Sequence, residues 1–289
     1  MFEAVESPFR VPYDGSFTIA DAPTAVPEPP SEKKSQKQLA KSISKMRKLQ
    51  DVLYAQDKYG VLLLFQAMDA AGKDSTIEAV MTGVNPAGCQ VFSFKQPSAQ
   101  EIDHDFLWRT TQRMPERGRI GIFNRSYYEE VLVVKVHPEF LKSQRLPYSV
   151  QHDMLFEQRY ESIRDQELHL ARNGLVILKF FLHVSKEEQK QRFLRRIEDP
   201  EKNWKFSHSD MKERALWPKY MEAYERALNE TSRPWAPWYA IPADDKPLMR
   251  ATVADIVVQS LGALDLHYPT LGEADQARLA EARAALLAD

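Results

Sequence analysis

The run Gln66-Ala67-Met68-Asp69-Ala70-Ala71-Gly72-Lys73-Asp74-Ser75-Thr76 follows the apolar segment Val61 to Phe65. A Gly-Lys pair between a buried strand and a helix is the core of a phosphate-binding loop. Successive N–H groups at the helix start point into one concavity, and the helix dipole favours an anion there. Gly72 lets the backbone approach closely, and Lys73 supplies a mobile charge that can follow a transferring phosphoryl group. Ala70, Ala71, Gly72, Asp74 and Ser75 complete the candidate cradle. The strict pattern is departed from twice, with Ala67 at the usual first glycine and Asp74 at the usual Ser or Thr. The plain alternative is a capped turn. Asp69 speaks against it, because a carboxylate inside a phosphate cradle is repulsive unless a metal, a basic group or a proton-donating substrate sits beside it. Asp69 is therefore a candidate to hold a metal ion or to position an attacking phosphate.

A second cluster is Gly121-Ile122-Phe123-Asn124-Arg125-Ser126-Tyr127-Tyr128-Glu129-Glu130. This strand end usually carries a metal-directing acid in enzymes with such a loop, and here it carries the uncharged Asn124. Glu129 and Glu130 follow about one helical turn later, and Arg125 is placed to reach a phosphate. A third cluster is Arg192, Arg195 and Arg196, followed by Lys202 and Lys205. Arg192 and Arg196 share a helix face by four-residue spacing, and planar guanidinium groups suit bidentate phosphate contact. Such a cluster reads as a mobile lid; with Glu187, Glu188 and Glu198 nearby it reads equally as a salt-bridged surface helix. Arg109 and Arg113, one turn apart, could meet a nucleotide phosphate or simply face solvent. The seven histidines lack zinc-ligand spacing, so no zinc site is expected.

The elements that must hold these groups follow from hydrophobic pattern. Short apolar runs at Val61–Ala67, Gln90–Phe94, Arg119–Asn124, Leu175–Val184 and Trp238–Pro242 alternate with helical stretches at Lys73–Gly83, Gln100–Met114, Tyr127–Val136, Val150–Asn173 and Lys186–Glu198. That alternation predicts a five-stranded parallel sheet covered by helices on both faces, with the ligand crevice at the strand C-terminal ends. A long helix is expected over Ser209–Asn229, with Ser209 or Asp210 as its cap, and two more helices follow Pro247. The proline-rich residues 1–30 read as an extended or disordered arm, residues 31–270 as the phosphotransfer domain with a lid at about 186–230, and residues 271–289 as a C-terminal helix. The helix from Ser31 to Gln56 buries Leu39, Ile43, Met46, Leu49 and Leu53 and presents six lysines, either as a solvated face or as a subunit contact or the lip of an anion channel.

Composition limits the rest. The net charge of the 289 residues is only -2, so no whole-molecule field draws polyanions and any anion site must be local. Neither a nucleic acid nor a membrane is an expected partner. No apolar run approaches the ~20 residues of a membrane helix. The N-terminus lacks the pattern of a signal peptide, and the lone Cys89 reads as a small hydrophobe in a reducing, cytoplasmic compartment.

Taken together, Asp69-Ala70-Ala71-Gly72-Lys73, Phe123-Asn124-Arg125-Ser126-Tyr127-Tyr128-Glu129 and Arg192-Phe193-Leu194-Arg195-Arg196 through Asp199-Pro200 and Trp204-Lys205 resemble the polyphosphate kinase 2 family over roughly residues 35 to 265. The resemblance implies an α/β, thymidylate-kinase-like P-loop core in three α/β/α layers with a helical lid. It implies Mg²⁺-dependent transfer from inorganic polyphosphate to AMP or ADP, giving ADP or ATP. Catalysis would fall to Asp69, Lys73, Arg125 and Glu129. Phosphate would be held by the loop, Arg125, Arg192, Arg195, Arg196 and Lys205. The nucleotide would meet Asn124, Glu129, Arg109 and Arg113, and Mg²⁺ would meet Asp69 and Glu129. Asn124 with Glu129 resembles the subgroup accepting both AMP and ADP, in place of the Asp and Asn of many members. A homo-oligomer, dimer or tetramer, is expected.

Overall fold

The computed structural model describes residues 2–147 and 151–288. Met1, Tyr148, Ser149, Val150 and Asp289 lie outside the described residues, and with them the start of the helix expected from Val150 and the outermost residue of each terminal segment.

Five strands, β1 (Gly60–Gln66), β2 (Cys89–Ser93), β3 (Ile120–Asn124), β4 (Leu175–His183) and β5 (Trp238–Pro242), form one parallel sheet in the order β2-β3-β1-β4-β5. Every residue of β1, β4 and β5 is buried, as strands covered on both faces must be. The helices are α1 (Glu32–Gln56), α2 (Lys73–Met81), α3 (Ala99–Ile102), α4 (Trp108–Thr111), α5 (Val133–Val136), α6 (His152–Arg172), α7 (Lys186–Glu198), α8 (His208–Ala215), α9 (Trp217–Thr231), α10 (Lys246–Gly262) and α11 (Glu273–Ala288). Helix α1 lies along α10, burying Met46 and Leu53, and Gln56 ties its end to the carbonyl of Asp265 at 2.8 Å. No residue of α11 is buried.

The sheet order puts β1, which feeds the phosphate loop, at the centre. Strands β3 and β2 border it on one side, and β4 and β5 on the other. Three expected helices are broken. Pro218 sits in the first turn of α9, where its missing N–H costs nothing, so the stretch expected as one helix divides at Leu216 into α8 and α9. Its cap is Ser207, with Asp210 closing a capping box, rather than Ser209 or Asp210 itself. The stretches at 100–114 and 127–136 each resolve into two short helical pieces.

The proline-rich arm is extended and packed. Val11 donates to the carbonyl of Trp238 at 2.9 Å, Ala240 to that of Phe9 at 2.8 Å, and the amide of Ile19 to Glu225 at 2.7 Å. It thereby covers the outer edge of β5, where unpaired strand groups would otherwise face solvent.

Beneath the crevice lies a polar network that periodicity alone does not reveal. Lys179 of β4 is fully buried and donates to Glu167 (2.6 Å), to the hydroxyl of Tyr128 (2.8 Å) and to the carbonyl of Thr231 (2.9 Å). Tyr127 and Tyr128 each donate to the other Glu167 oxygen at 2.9 Å. Burial lowers the Lys179 ammonium to about 8, against the pull of Glu167. The network pins the two tyrosines, and hence the stretch between Arg125 and Glu129, to the floor of the sheet.

Candidate active site

The loop between β1 and α2 is shaped by two residues with left-handed backbone, Ala70 (φ +63°) and Gly72 (φ +104°). A side chain is strained at such a φ, so a third element must hold Ala70 there. That element is α7. Gln189 donates to the carbonyl of Asp69 at 2.9 Å. Arg192 donates through Nη1 to the carbonyls of Ala70 (3.2 Å) and Ala71 (2.6 Å), and through Nη2 to those of Ala243 (2.5 Å) and Asp244 (3.1 Å). Its Nε donates to Glu188 at 2.8 Å. A guanidinium carries five N–H donors, and these contacts use all of them. Pulling three consecutive carbonyls outward turns the opposite, N–H side of the loop toward the crevice. The free N–H groups of the first turn of α2 lie beside it.

This corrects two expectations. Arg192 is 4% exposed and committed to protein acceptors, so it builds the loop rather than binding phosphate. Helix α7 is not a free flap either, since Gln189, Arg192 and Phe193 are buried against the body. The overhanging part comes later. Asp210 of α8 stands 3.8 Å from Arg196 and feels the charges of both Asp69 and Arg125, so the start of α8 lies near the crevice. Burial raises its carboxyl, Asp69 adds to that, and Arg196 and Arg125 offset it.

Inside the crevice the groups are loosely held. Lys73 donates to the carbonyl of Ala67 at 2.9 Å, and Asp74 is held by the side-chain amide of Asn124. Arg125, itself left-handed (φ +65°) and half exposed, reaches Asp69 at only 3.5 Å. Burial lowers the Lys73 ammonium, and Arg125 adds to the effect against Asp69, Glu129 and Asp74. Burial raises the Glu129 carboxyl, with Arg125 and Lys73 pulling it back. Asp69, Lys73, Arg125 and Glu129 thus share one electrostatic neighbourhood. Tyr220 and Tyr224 of α9, both buried, feel Glu129 and Asp69 as well; spacing gave no signal for either.

The remaining expected residues separate. Arg195 pairs with Glu188 at 2.7 Å, and Arg196 stands 3.8 Å from Asp210. Lys205 lies over the exposed ring of Trp204, and no contact links it to the loop among the described residues. Arg109 donates to the carbonyl of Lys95 at 2.8 Å and lies over Phe94, and Arg113 lies over Phe92. These four line a cleft of about 430 Å³ at the end of β2, with Lys95, Gln96 and Glu101. A larger cleft of about 710 Å³ between the arm, α6 and α9 is lined by Asp14, Asp153, Glu157, Glu222, Glu225 and Glu230 besides three cations, a lining that repels polyanions. Burial pushes the Cys89 thiol up to about 11, away from reactivity.

No cluster of three metal-ligating side chains occurs among the described residues. Asp69 and Glu129, each within the other's field, nonetheless fit Mg²⁺, which takes one or two carboxylates, keeps several waters and completes its shell with substrate phosphates.

The sequence profile of polyphosphate kinase 2 matches residues 30–268. This chain belongs to the polyphosphate kinase 2 family. It is 50% identical over 281 residues, spanning 96% of this chain and 97% of the relative, to an ADP-polyphosphate phosphotransferase of Rhodopseudomonas palustris. It is 47% identical over 225 residues, 78% of this chain and 80% of the relative, to an AMP/ADP-polyphosphate phosphotransferase of Meiothermus ruber. The crystal structure of polyphosphate kinase 2 from Arthrobacter aurescens TC1 superposes with a TM-score of 0.85 at 34% identity, covering 96% of this chain and 99% of that one. No helix among the described residues is long and apolar enough to cross a membrane.

Proposed function

We propose that this family member transfers the terminal phosphoryl group of inorganic polyphosphate to AMP or ADP, reversibly. The observation that carries the reading is the convergence of Lys73, Arg125, Asp69 and Glu129 at the mouth of a loop whose carbonyls α7 holds outward. The names of the relatives from R. palustris and M. ruber support the choice of substrates.

The central loop has a substrate on each side. The nucleotide enters from the β2 side, where the cleft offers the rings of Phe92 and Phe94 beside Arg109 and Arg113. The donor lies on the β4–β5 side with its terminal phosphate in the loop. Lys73 exchanges the Ala67 carbonyl for a phosphate oxygen, and Arg125 leaves its long contact with Asp69 to do the same. A terminal phosphate oxygen of the nucleotide, already anionic, attacks the phosphorus. That P–O bond forms as the bond to the next phosphate of the chain breaks, leaving polyphosphate one unit shorter. Lys73 and Arg125 neutralise charge on the transferring group, and placement with charge neutralisation supplies most of the rate. Asp69 and Glu129 are the residues that would hold Mg²⁺, which when bound supplies further neutralisation at the phosphate oxygens. Asn124 keeps Asp74 turned aside by hydrogen bonding.

The test is an assay with polyphosphate or ATP as donor and AMP or ADP as acceptor, in Mg²⁺. The expected result is ADP and ATP formed from polyphosphate. Transfer from ATP with none from polyphosphate would make the protein an ordinary nucleotide kinase and overturn the reading.

A further inference from the structure

We propose that Gln66, the last residue of β1, is a positioning residue for Glu129: its side-chain amide fixes the corner from Arg125 to Glu129 against the strand that feeds the phosphate loop. The role deepens the phosphotransfer reading above and rests on it.

Gln66 closes a strand that is otherwise apolar. It is 1% exposed, and an amide buried at that depth costs free energy unless it is hydrogen-bonded. The sheet register shows what it serves. Phe65 pairs with Asn124, the last residue of β3, so Gln66 lies beyond the end of its neighbour on that side. The Arg125 amide donates to the Phe65 carbonyl at 3.2 Å, and the chain then turns away through the left-handed backbone of Arg125 (φ +65°). Where the main chain leaves the sheet, the Gln66 side chain takes over. Its Nε2 donates to Ser126 Oγ at 3.2 Å.

Ser126 is fully buried and relays that anchor to Glu129. Its Oγ also accepts from the Tyr128 amide at 3.1 Å, and its carbonyl accepts from the Glu129 amide at 3.2 Å. Arg125 and Glu129 are therefore the two ends of one short segment. It is held at Ser126 by β1, and at Tyr127 and Tyr128 by Glu167 from beneath. The Gln66 amide carries a second N–H, and the Glu129 carboxyl responds to Gln66. Burial raises that carboxyl; Arg125, Lys73 and then Gln66 draw it back, and Asp69 adds to the rise. Gln66 and Asp69 lie three residues apart on the same strand and loop. One element thus carries Asp69 and also the group that orients Glu129, so the relation between the two carboxylates is built into it. Loss of an outer group that orients a ligating side chain costs about 10–100-fold in affinity or activity.

Gln66→Met keeps the length of the side chain and removes the donor. With polyphosphate and ADP, its kcat is expected to fall by about ten-fold while the KM for polyphosphate stays within about two-fold. The Kd for ADP, measured by calorimetry in Mg²⁺ without polyphosphate, should rise by about ten-fold. Because Gln66 acts through Glu129, Gln66→Met added to Glu129→Gln should change that Kd by less than about two-fold. Melting temperatures serve as the folding control. Should Gln66→Met fail to fold, Ser126→Ala removes the acceptor instead and must reproduce the pattern. A folded variant whose kcat and ADP Kd stay within about two-fold of wild type overturns the proposal. Losses that simply add to those of Glu129→Gln overturn it too, and so does an equal rise in the KM for polyphosphate, which marks a general loosening of the loop. Absence of any transfer from polyphosphate by the wild type would remove the functional reading instead, and the calorimetric cycle would still decide the role of Gln66.

Discussion

Arg125 and Arg192 both stand at the phosphate loop and differ in what their donors are free to do. Arg192, behind the loop, is buried and spends every N–H on four main-chain carbonyls and Glu188. Arg125, in front, is half exposed, held on a left-handed backbone, and makes one long contact with Asp69. The same contrast separates Lys179, locked in a closed network under the sheet, from Lys73, which holds a single carbonyl. Saturation by protein acceptors thus separates cations that build the site from cations whose donors are left for the proposed substrate. The first kind should report in stability and the second in turnover.

The largest expected effect is behind the loop. Lys179→Met leaves Glu167 buried without its cation, and removal of one partner of a buried pair costs about 3–5 kcal/mol. Denaturant unfolding should show that loss; a change below about 1 kcal/mol would mean the network carries no net charge. In front, Arg125→Ala should lower kcat by about 10²–10³-fold, as loss of one electrostatic donor does. Its unfolding midpoint should stay near wild type, and a large fall would blur the contrast between the two arginines. Arg192→Lys keeps the charge but cannot reach four carbonyls, so stability should drop by about 1–3 kcal/mol for the acceptors left bare. The salt dependence of the KM for polyphosphate should stay as in wild type, since protein acceptors already take every Arg192 donor; a shallower slope would return it to the phosphate ligands.

The smallest effect concerns His137, which bridges α8 to the body through Glu213 at 2.9 Å and Glu139 at 3.2 Å. Burial would lower its pKa, but the two carboxylates outweigh it and the folded value is raised. The stabilisation is therefore complete below the unfolded value of about 6.5 and is lost as pH rises through the folded value. His137→Gln should abolish that part of the pH dependence of melting, by less than about 1 kcal/mol given its exposed partners.

Much of the molecule was legible in sequence for a plain physical reason. Buried parallel strands must be apolar throughout, so the runs at β1 and β4 announce themselves, and a Gly-Lys after such a strand marks the loop. Residues that act across the fold left no such mark. Glu167 and Lys179 carry no sequence pattern that links them, because only packing shows that each is the other's partner. Arg192 read as a phosphate ligand because spacing gives a side chain's face and not its acceptors; the carbonyls of Ala70 and Ala243 come from distant segments. Pro218 was visible, yet its tolerance in a first turn made it a helix start inside what read as one helix.

The central claim is that phosphoryl transfer occurs at the front of the loop, between Asp69 and Lys73. It is tested most directly by ATP formation from polyphosphate and ADP with the wild type, Lys73→Ala and Asp69→Asn, each checked by melting. The expected result is transfer by the wild type, its loss in both variants, and melting temperatures that stay together. Near-normal transfer by either folded variant would contradict the account.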